Sequence, residues 1–209
     1  MNDLILASGS PRRSSLLRQA GLTFVVVKPD IDERVLKDEQ AGDYVTRLSR
    51  EKAIAVSAQS SPSSVVIAAD TTVVISGTIL GKPESKSDGL AMLKALSGSK
   101  HQVLTGVSVI RGREDETFCV SSDVQFRRLS AAEMEWYWQT GEPSDKAGGY
   151  GLQGIGAAFV SSINGSYTNV IGLPLAETIL VLRHFGILCL GEAEVREREI
   201  LNIRDSSYV

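Results

Sequence analysis

The sequence predicts an α/β fold with a mixed, twisted sheet flanked by helices. Short apolar runs such as 65–69 (VVIAA), typical of buried strands, are interspersed with helical segments along the chain. Both crossovers and hairpins are expected between consecutive strands, so the sheet should contain parallel and antiparallel pairs. The chain has 209 residues, of which 43% are hydrophobic and 22% charged, and it can therefore bury a sizeable core.

The start of the chain predicts a strand, a small-residue loop and a helix. Residues 4–7 (LILA) form a short apolar strand, Ser10 is a good N-cap, and Pro11 fits the first helical position. Such an arrangement presents free backbone N–H groups and a partial positive charge to an anion. Arg12 and Arg13 stand where cations oppose the helix dipole. This favours phosphate binding, although two solvated surface arginines would give the same pattern.

The remaining elements follow from apolar periodicity and from turn and capping residues. Further strands are expected at 23–28, 65–69, 102–110 and 116–127. Further helices are expected at about 41–59, 85–96 and 130–141, and after the stretch GLPLAE at 172–177. A capping box from Ser130 to Glu133 opens the third of these helices. Hairpin turns are expected at Ser76–Gly77 and Asn164–Gly165.

Composition and charge disfavour several classes of protein. The net charge of −3 argues against a nucleic-acid binder. No run of about 18 apolar residues and no signal-peptide pattern is present, so no membrane partner is expected. Cys119 and Cys189 have no metal-binding spacing and are expected to be reduced thiols of a cytoplasmic protein. Since His101 and His184 are the only histidines, a histidine triad or a histidine-rich metal site is not expected.

Lys52 is the most informative residue of the helix predicted at 41–59. At the α-helical period, Val45, Leu48 and Val56 share one face, and Lys52 falls in the middle of it. A lysine centred on an apolar face must reach out at a groove edge, pair with an acid or point into an internal cleft. A cleft that binds a polyanion explains this position best.

Asp70 ends the predicted strand 65–69, and ligands of α/β sheets gather beyond the carboxyl ends of strands. A carboxylate there can bind a metal ion or accept a proton from water, or it can be a turn residue. If Ser76–Gly77 is a two-residue turn, Thr71 faces Lys82, and Lys82 lies beside Asp70. The pair suits a site for phosphate and metal, and it equally suits a simple ion pair.

Residues 146–156 (KAGGYGLQGIG) form a glycine-rich loop that contains the pattern G-x-G-x-x-G. No apolar strand precedes the pattern and no helix follows it, so a dinucleotide-binding fingerprint is rejected. The glycines allow tight turns and close approach of a ligand instead. Gln153 offers a donor and acceptors that suit the edge of a base, although a solvated loop glutamine is equally compatible.

An acidic cluster, formed by Asp30, Asp32 and Glu33, follows the strand predicted at 23–28. Mg²⁺ prefers a few carboxylates together with water and phosphate oxygens, so the cluster is a candidate metal site. Most acidic loops are only solvated, and solvation is the favoured interpretation for Asp30 and Asp32.

Taken together, these residues resemble the Maf family of nucleoside triphosphate pyrophosphatases. The matching stretches, from Leu4 to about Phe185, are in order LASGSPRR, DIDE, REKA, AADTTV, LGKP, LSGSKHQVLTGV, GEPSDKAGGYGLQG and INGSYTNVIGLPL. The resemblance implies two lobes around a cleft, with a fold similar to inosine triphosphate pyrophosphatase. We expect this domain at residues 1–187 and a charged tail at 188–209. The resemblance also implies hydrolysis of a triphosphate to a nucleoside monophosphate and pyrophosphate with a divalent metal, Mg²⁺ or Mn²⁺.

The resemblance assigns roles to individual residues. Asp70 would accept the proton of the attacking water, and Glu33 and Asp70 would serve the metal. The residues that would handle phosphate are Ser8, Arg12, Arg13, Lys52 and Lys82, of which the two lysines would be catalytic. At three positions, Arg12, Thr71 and Gln153, the chain resembles the branch of the family that acts on dTTP and UTP. The branch that prefers 7-methyl-GTP carries an aromatic residue, Gln and Glu at these places.

The sequence leaves the natural substrate open. Modified nucleotides, removed in a house-cleaning reaction, are an alternative to dTTP and UTP. A non-catalytic, nucleotide-sensing regulator of cell division is an alternative of a different class. A homodimer is an expectation from the family resemblance alone.

Overall fold

The described part of the chain, residues 3–192 of the computed structural model, forms a seven-stranded mixed sheet with helices on both faces. The strands are β1 Leu4–Ala7, β2 Val25–Val27, β3 Val65–Ile75, β4 Thr78–Leu80, β5 Lys100–Arg111, β6 Glu114–Phe126 and β7 Val160–Asn164. The helices are α1 Pro11–Gln19, α2 Ala41–Ser57, α3 Lys86–Leu96, α4 Ala131–Gln139, α5 Tyr167–Ile171 and α6 Leu175–His184. Short 3₁₀ segments occupy Glu142–Asp145, Ala147–Gly149 and Ile155–Phe159. The predicted fold class is confirmed.

The strand order explains why one edge of β3 is open. The order is β2-β1-β3-β5-β6-β7, and β4 also pairs with β3. β2, β1 and β3 are parallel, and the other pairs are antiparallel. Pairing of β1 with β3 stops at Ala7 and Ala68, and pairing of β4 begins at Val73 and Leu80. Within the described sheet, residues 69–72 therefore have a strand partner only in β5. We call this open stretch the β3 notch.

The side chains of β3 alternate between the two faces of the sheet. Odd-numbered residues of 65–69 pack into a core with α1 and α6, and the even-numbered ones pack against α2. Burial of one such aliphatic side chain contributes about 1.5–3 kcal/mol, so both faces are firmly held. The alternation continues into the β3 notch, where Asp70 points toward α2 and Thr71 points toward α1.

A second core lies beyond the β3 notch. It includes Leu93 and Leu96 of α3, Tyr137 of α4, Phe126 of β6 and Phe159. The rings of Tyr137 and Phe159 form a T-shaped contact with centroids 4.8 Å apart, a favoured aromatic arrangement. Residues of both cores line one cavity, among them Tyr150 of the second core and Ile171 of the first, and the division into two lobes stays a prediction.

Capping signals in the sequence are only partly realised. In α4 the predicted capping box is present, with Glu133 N–H donating to Ser130 Oγ at 3.2 Å and Ser130 N–H donating to the Glu133 carboxylate at 2.8 Å. Ser10 occupies the N-cap position of α1 as expected, but its side chain makes no capping hydrogen bond. The first turn of α1 therefore faces the cavity without a side-chain cap.

The strand expected to end at Asp70 continues to Ile75, because β5 pairs with it as far as Val74. Asp70 therefore lies in the middle of a strand, opposite Gly106. Its side chain points toward α2, and the cavity reaches it because pairing of β1 with β3 stops two residues earlier. The prediction of a strand end at Asp70 is therefore wrong, and it is the pairing with β1 that ends near this position.

The hairpin predicted at Ser76–Gly77 is confirmed. Ile75 pairs with Thr78, and both turn residues have positive φ, as a two-residue hairpin turn requires. The ladder extends only to Leu80 and does not reach Lys82. Lys82 therefore leaves the sheet and lines the cavity.

The hairpin predicted at Asn164–Gly165 is wrong. β7 leads into α5, and Ser166 caps this helix by accepting a hydrogen bond from Asn169 N–H at 3.2 Å. Gly165 has a φ of 128°, and a Cβ there would lie 2.7 Å from Ser122 Oγ. Only glycine fits this strand-to-helix corner, and the Asn-Gly pair alone does not distinguish such a corner from a hairpin.

The predicted tail begins just before the end of the described residues. Cys189 is buried in the first core, and Leu190 N–H donates to the carbonyl oxygen of Ala20 at 2.9 Å. Most of the predicted tail, residues 193–209, lies outside the described part of the chain. Cys119 and Cys189 are both free thiols. Within residues 3–192, no helix combines the length and apolar character needed to span a bilayer.

Candidate active site

A cavity of about 740 Å³ opens at the β3 notch. This volume lies within the usual range for small-molecule sites. The sequence-predicted site residues all line it: Ser8, Arg12, Arg13, Glu33, Lys52, Asp70, Thr71, Lys82 and Gln153. Segments far apart in the sequence thus converge on one concave surface.

Close packing of α2 on the sheet brings Lys52 to Asp70. A Cβ on Gly106, which pairs with Asp70 in the sheet, would lie 2.2 Å from the carbonyl oxygen of Val45. The missing side chain therefore lets the α2 backbone lie directly on β5. Lys52 follows Val45 by seven residues, or about two helical turns, and so projects from the same face of α2.

Lys52 joins two carboxylates at the cavity floor. Its Nζ lies 2.6 Å from Asp70 Oδ1 and 2.6 Å from Glu33 Oε1. Lys52 and Asp70 are only 6% and 8% exposed. A buried lysine is tolerated when it is paired, so the expected cleft and the expected acidic partner are both present.

Glu33 is held in its ionised form by the surrounding cations. Partial burial alone would raise its pKa. Interaction with Lys52 and the charges of Lys82 and Arg13 outweigh burial, so the pKa of Glu33 lies below its ordinary value. Three cations of the cavity, Lys52, Lys82 and Arg13, therefore stabilise the ionised form of this one carboxylate.

Arg13 is buried, and some of its guanidinium N–H groups already donate hydrogen bonds within the protein. Its Nε donates to the carbonyl oxygen of Gly172 at 2.8 Å. Its two terminal nitrogens donate to Ser8 Oγ at 3.2 Å and to Thr71 Oγ1 at 3.0 Å. Thr71 Oγ1 also lies 2.9 Å from Thr105 Oγ1 on β5. A guanidinium has five N–H donors, so Arg13 keeps two for a ligand while the others fix its orientation.

Arg12 and Lys82 are the more accessible cations. Arg12 lies at the rim, 3.3 Å from Asp145, and its side chain is 25% exposed. Lys82 makes no direct ion pair with any residue in 3–192, although its charge helps to lower the pKa of Glu33. Both side chains are therefore available to an anion that enters from solvent.

The glycine-rich loop at 146–156 forms the wall opposite α1. It consists of short 3₁₀ segments, with neither a preceding strand nor a following α-helix, so rejection of the dinucleotide fingerprint is confirmed. Gly148 has a φ of 67°, and a Cβ there would lie 2.9 Å from the Val73 side chain. Gln153 is exposed and lines the cavity.

Sequence reasoning missed several cavity residues, among them Lys28 and Tyr44. The Lys28 side chain runs past Gly9, where a Cβ would lie 3.5 Å from the lysine Cδ. Its position directly after β2 was a usable signal, because β2 and β1 are parallel and end at the same edge. Tyr44 Oη donates to the backbone oxygen of Glu33 at 3.0 Å. Burial, together with Asp70 and Glu33, raises the pKa of Tyr44 to about 12.

Asp30 and Asp32 lie outside the cavity wall, and both are exposed. Asp32 pairs with Arg34 at 2.6 Å. The favoured interpretation of these two residues as a solvated part of the acidic loop is therefore correct, and Glu33 alone of the cluster enters the site.

Glu33 and Asp70 are the carboxylates that suit a divalent metal. Among residues 3–192, no three His, Cys, Asp or Glu side chains cluster as a metal cage. Both carboxylates contact the same Lys52 nitrogen, so their oxygens lie within about 5 Å of each other, near enough to serve one Mg²⁺. Mg²⁺ is commonly bound by one or two carboxylates together with substrate phosphates, and this donor set fits that pattern.

An uncapped helix start, several cations and two carboxylates at a sheet edge are typical of α/β proteins that bind phosphate-bearing ligands. The chain belongs to the Maf family. The model of that family, described as "Maf-like protein", matches residues 3–185.

Relatives in several bacteria are similar over almost their whole length. A protein of Vibrio parahaemolyticus named "dTTP/UTP pyrophosphatase" is 52% identical over 182 residues, covering 87% of this chain and 96% of its own. Proteins with the same name are 48% identical in Symbiobacterium thermophilum, covering 89% and 95%, and 52% identical in Anaeromyxobacter dehalogenans, covering 88% and 94%.

Two solved structures align with the chain at low identity. The Staphylococcus aureus Ham1 protein is 16% identical with a TM-score of 0.36, covering 60% of this chain and 72% of its own. A nucleoside-triphosphatase, or dITP/XTP pyrophosphatase, of Mycobacterium abscessus is 13% identical with a TM-score of 0.40, covering 87% and 94%.

Proposed function

We propose that this protein hydrolyses the nucleoside triphosphates dTTP and UTP to the nucleoside monophosphate and pyrophosphate. Membership of the Maf family and relatives at about 50% identity named dTTP/UTP pyrophosphatase support this activity. The observation that carries the proposal is the buried Lys52, held between Asp70 and Glu33 at 2.6 Å from each, on the floor of an open cavity.

In the proposed reaction, Asp70 accepts a proton from a water molecule that attacks the α-phosphorus. The bond from this phosphorus to the oxygen bridging the α- and β-phosphates breaks, and pyrophosphate leaves. Lys52 hydrogen-bonds Asp70 Oδ1 and so orients the carboxylate, with Oδ2 available for the proton. No serine or cysteine nucleophile is required.

Cations around the cavity stabilise the charge that grows on the leaving group. Arg13 is preorganised by Ser8, Thr71 and Gly172, so its remaining N–H groups need no reorientation during the reaction. Lys82 supplies a more accessible point charge. Such preorganised charges are commonly the largest single contribution to catalysis.

Glu33 and Asp70 would hold Mg²⁺ or Mn²⁺ together with phosphate oxygens of the substrate. When bound, the metal would neutralise phosphate charge and increase the acidity of water. Lys52, which bridges the same carboxylates, keeps them together before any metal or substrate binds.

Gln153, Arg12 and Thr71 are the proposed determinants of the base. The Gln153 amide can donate to O4 of uracil or thymine and accept from N3–H. Arg12 at the rim adds charge near the mouth of the cavity. Thr71 acts indirectly, because its hydroxyl already contacts Arg13 and Thr105.

We assign the activity to residues 1–187 and place the protein in the cytoplasm. The two free thiols, Cys119 and Cys189, support a reducing compartment. We assign no step of the proposed reaction to residues 188–209, and the homodimer remains a prediction.

Product analysis tests the proposal. Purified protein with UTP or dTTP and Mg²⁺ should release the monophosphate and pyrophosphate in equal amounts, because one bond is broken per turnover. Release of the diphosphate and inorganic phosphate would contradict the assigned bond. A panel of modified triphosphates hydrolysed far faster than dTTP and UTP would favour house-cleaning. Nucleotide binding without turnover with any divalent metal would favour a regulator.

A further inference from the structure

Glu142 carries a half-buried carboxylate that the proposed reaction does not use. It begins the 3₁₀ segment that follows α4. Its Oε1 accepts hydrogen bonds from Tyr137 Oη at 2.8 Å and from Gly156 N–H at 3.0 Å. Its Oε2 accepts one from Ile155 N–H at 2.8 Å. One carboxylate thus ties the end of α4 to the backbone just beyond Gln153.

Glycines around Gln153 are necessary for this arrangement. A Cβ on Gly154 would lie 2.4 Å from Glu142 Oε2, and a Cβ on Gly156 would lie 2.8 Å from Tyr137 Oη. A Cβ on Gly156 would also lie 2.8 Å from the backbone oxygen of Gly151, so that position requires glycine, whereas a Cβ on Gly154 would push the Glu142 carboxylate away from Ile155 N–H. Part of the glycine pattern that does not bind a dinucleotide therefore serves to wrap the chain around Glu142.

The Glu142 carboxylate is ionised at neutral pH. Burial alone would raise its pKa, but the N–H groups of Gly156 and Ile155, the hydroxyl of Tyr137 and the charge of Lys146 hold the pKa below its ordinary value. An ionised carboxylate only accepts hydrogen bonds, so each of the three donors meets an acceptor.

A second set of contacts connects this segment to the opposite wall of the cavity. Lys146 Nζ donates to the backbone oxygen of Glu142 at 2.7 Å and pairs with Asp145 at 2.6 Å. Asp145 in turn pairs with Arg12 at 3.3 Å. The turn that begins at Glu142 therefore joins the loop of Gln153 to the first turn of α1.

We propose that Glu142 is a positioning residue that fixes Gln153 relative to the first turn of α1 and thereby sets the selectivity for uracil and thymine. This inference rests on the proposed function, because it assumes that Gln153 reads the base. Glu142 is not part of the cavity wall. Its effect therefore falls on KM and on base selectivity, whereas kcat depends on the charges at the β3 notch.

Glu142→Gln is the first test. The variant keeps the size of the side chain but turns an NH₂ group toward at least one of the three donors. The KM for UTP should rise about tenfold, roughly the effect of one lost hydrogen bond, with kcat changed by less than about twofold. The ratio of kcat/KM for UTP to that for CTP should fall by a similar factor. Glu135→Gln, at a half-exposed position on α4 where the carboxylate pairs with Lys86 instead of the loop of Gln153, is the matched control and should change neither value.

A double variant separates positioning of Gln153 from general loosening of the fold. In a Gln153→Ala background the base contact is already lost, so adding Glu142→Gln should not lower the UTP-to-CTP ratio further. An additive fall in this ratio, or a fall in kcat at constant ratio, would overturn the inference. If Glu142→Gln does not fold, Tyr137→Phe removes a single donor and should shift the ratio by a smaller factor. An unchanged ratio in Tyr137→Phe would then overturn the inference.

Calorimetric binding of UTP and CTP without divalent metal separates this inference from the proposed function. If the unmodified protein releases no pyrophosphate, the proposed hydrolysis fails. A preference for UTP in binding that disappears in Glu142→Gln would still support the positioning role. Equal affinity of the unmodified protein for UTP and CTP would overturn the positioning role even if both nucleotides are hydrolysed.

Discussion

The two ends of the cavity are built in different ways. At the end that we assign to phosphate, Arg13, Lys52 and Asp70 lie on α1, α2 and β3 and are 9%, 6% and 8% exposed. At the end that we assign to the base, Gln153 is exposed on a loop between 3₁₀ segments. The phosphate end is positioned by packing of regular elements, and the base end by hydrogen bonds to Glu142 and by glycine backbone.

This difference indicates which changes each end tolerates. Charges on packed elements keep their geometry unless the packing itself changes, because a shift of α2 moves Lys52 as a rigid unit. A loop held by a few hydrogen bonds can be altered by a single acceptor without loss of the fold. Substitutions at the phosphate end should therefore lower kcat, and substitutions at the base end should change KM and selectivity.

The largest effect is expected for Asp70→Asn. The amide keeps the shape of the carboxylate but cannot accept the proton of water, so kcat should fall by about 10²–10⁴-fold, the usual contribution of a general base. Steady-state pyrophosphate release from UTP measures this effect. Asp123→Asn, on β6, where the carboxylate pairs with Lys100 and does not line the cavity, is the control and should retain full activity. An Asp70→Asn variant with undiminished kcat would contradict the role of Asp70 and the functional contrast between the two ends.

Gly106→Ala should have an intermediate effect on both stability and turnover. The new Cβ would lie 2.2 Å from the backbone oxygen of Val45, so α2 must move away and carry Lys52 with it. We expect the free energy of unfolding to fall by about 1–3 kcal/mol, as for an overpacked core. We expect kcat to fall by about tenfold with little change in base selectivity, because misplacement of catalytic groups is costly. Urea denaturation and pyrophosphate assays measure the two effects.

Gly42→Ala is the matched control on α2. A Cβ at this position meets nothing within 4 Å, so only helix propensity changes. The free energy of unfolding should rise by up to about 1 kcal/mol, with unchanged kcat. Equal loss of kcat in Gly42→Ala and Gly106→Ala would show that turnover does not depend on the close approach of α2 to Gly106.

The smallest effect on turnover is expected at His101, which acts on the pH dependence of stability and on the anchoring of the glycine-rich loop. His101 on β5 lies 2.7 Å from Tyr150 Oη, and burial lowers the pKa of His101 from 6.5 to about 4. Between these two pH values the unfolded chain binds a proton that the folded protein does not. The free energy of unfolding should therefore fall with decreasing pH, by at most about 1.4 kcal/mol per pH unit from this residue.

His101→Gln removes this titration and should flatten the dependence of the unfolding free energy on pH between 6.5 and 4. His184→Gln, at an exposed position on α6, should leave the slope unchanged. Urea denaturation at several pH values measures both slopes. An unchanged slope in His101→Gln would show that the buried histidine is not the group responsible.

At the phosphate end, local patterns predicted which residues belong to the site better than they predicted which residues contact each other. The apolar periodicity of α2 singled out Lys52, because a charged residue centred on an apolar face requires a partner. The acidic partner Glu33 could not be identified in the same way, since nothing local separates it from Asp30 and Asp32. Its ion pair with the buried Lys52 makes that distinction, and this contact depends on how distant segments pack.

The base end shows the opposite limit of sequence reasoning. The glycine pattern at 148–156 was visible, and its misleading likeness to a dinucleotide fingerprint could be rejected from the missing strand and helix. The sequence pattern does not show why Gly154 and Gly156 are needed, because they pack around the carboxylate of Glu142, more than ten residues earlier. Glutamate at a helix end is common and carries no signal of such a role.

By itself, the sequence determined the α/β class, most helix and strand positions and some of the charged residues that meet in the cavity, Lys52 and Asp70 among them. These features depend on periodicity, turn residues and capping over a few neighbouring positions. Only the tertiary structure decided that β3 passes through Asp70 without a break, that Asn164–Gly165 is a corner and that α2 rests on Gly106. Strand pairing and close approach are contacts between segments far apart in the chain, and local residue patterns do not specify such contacts.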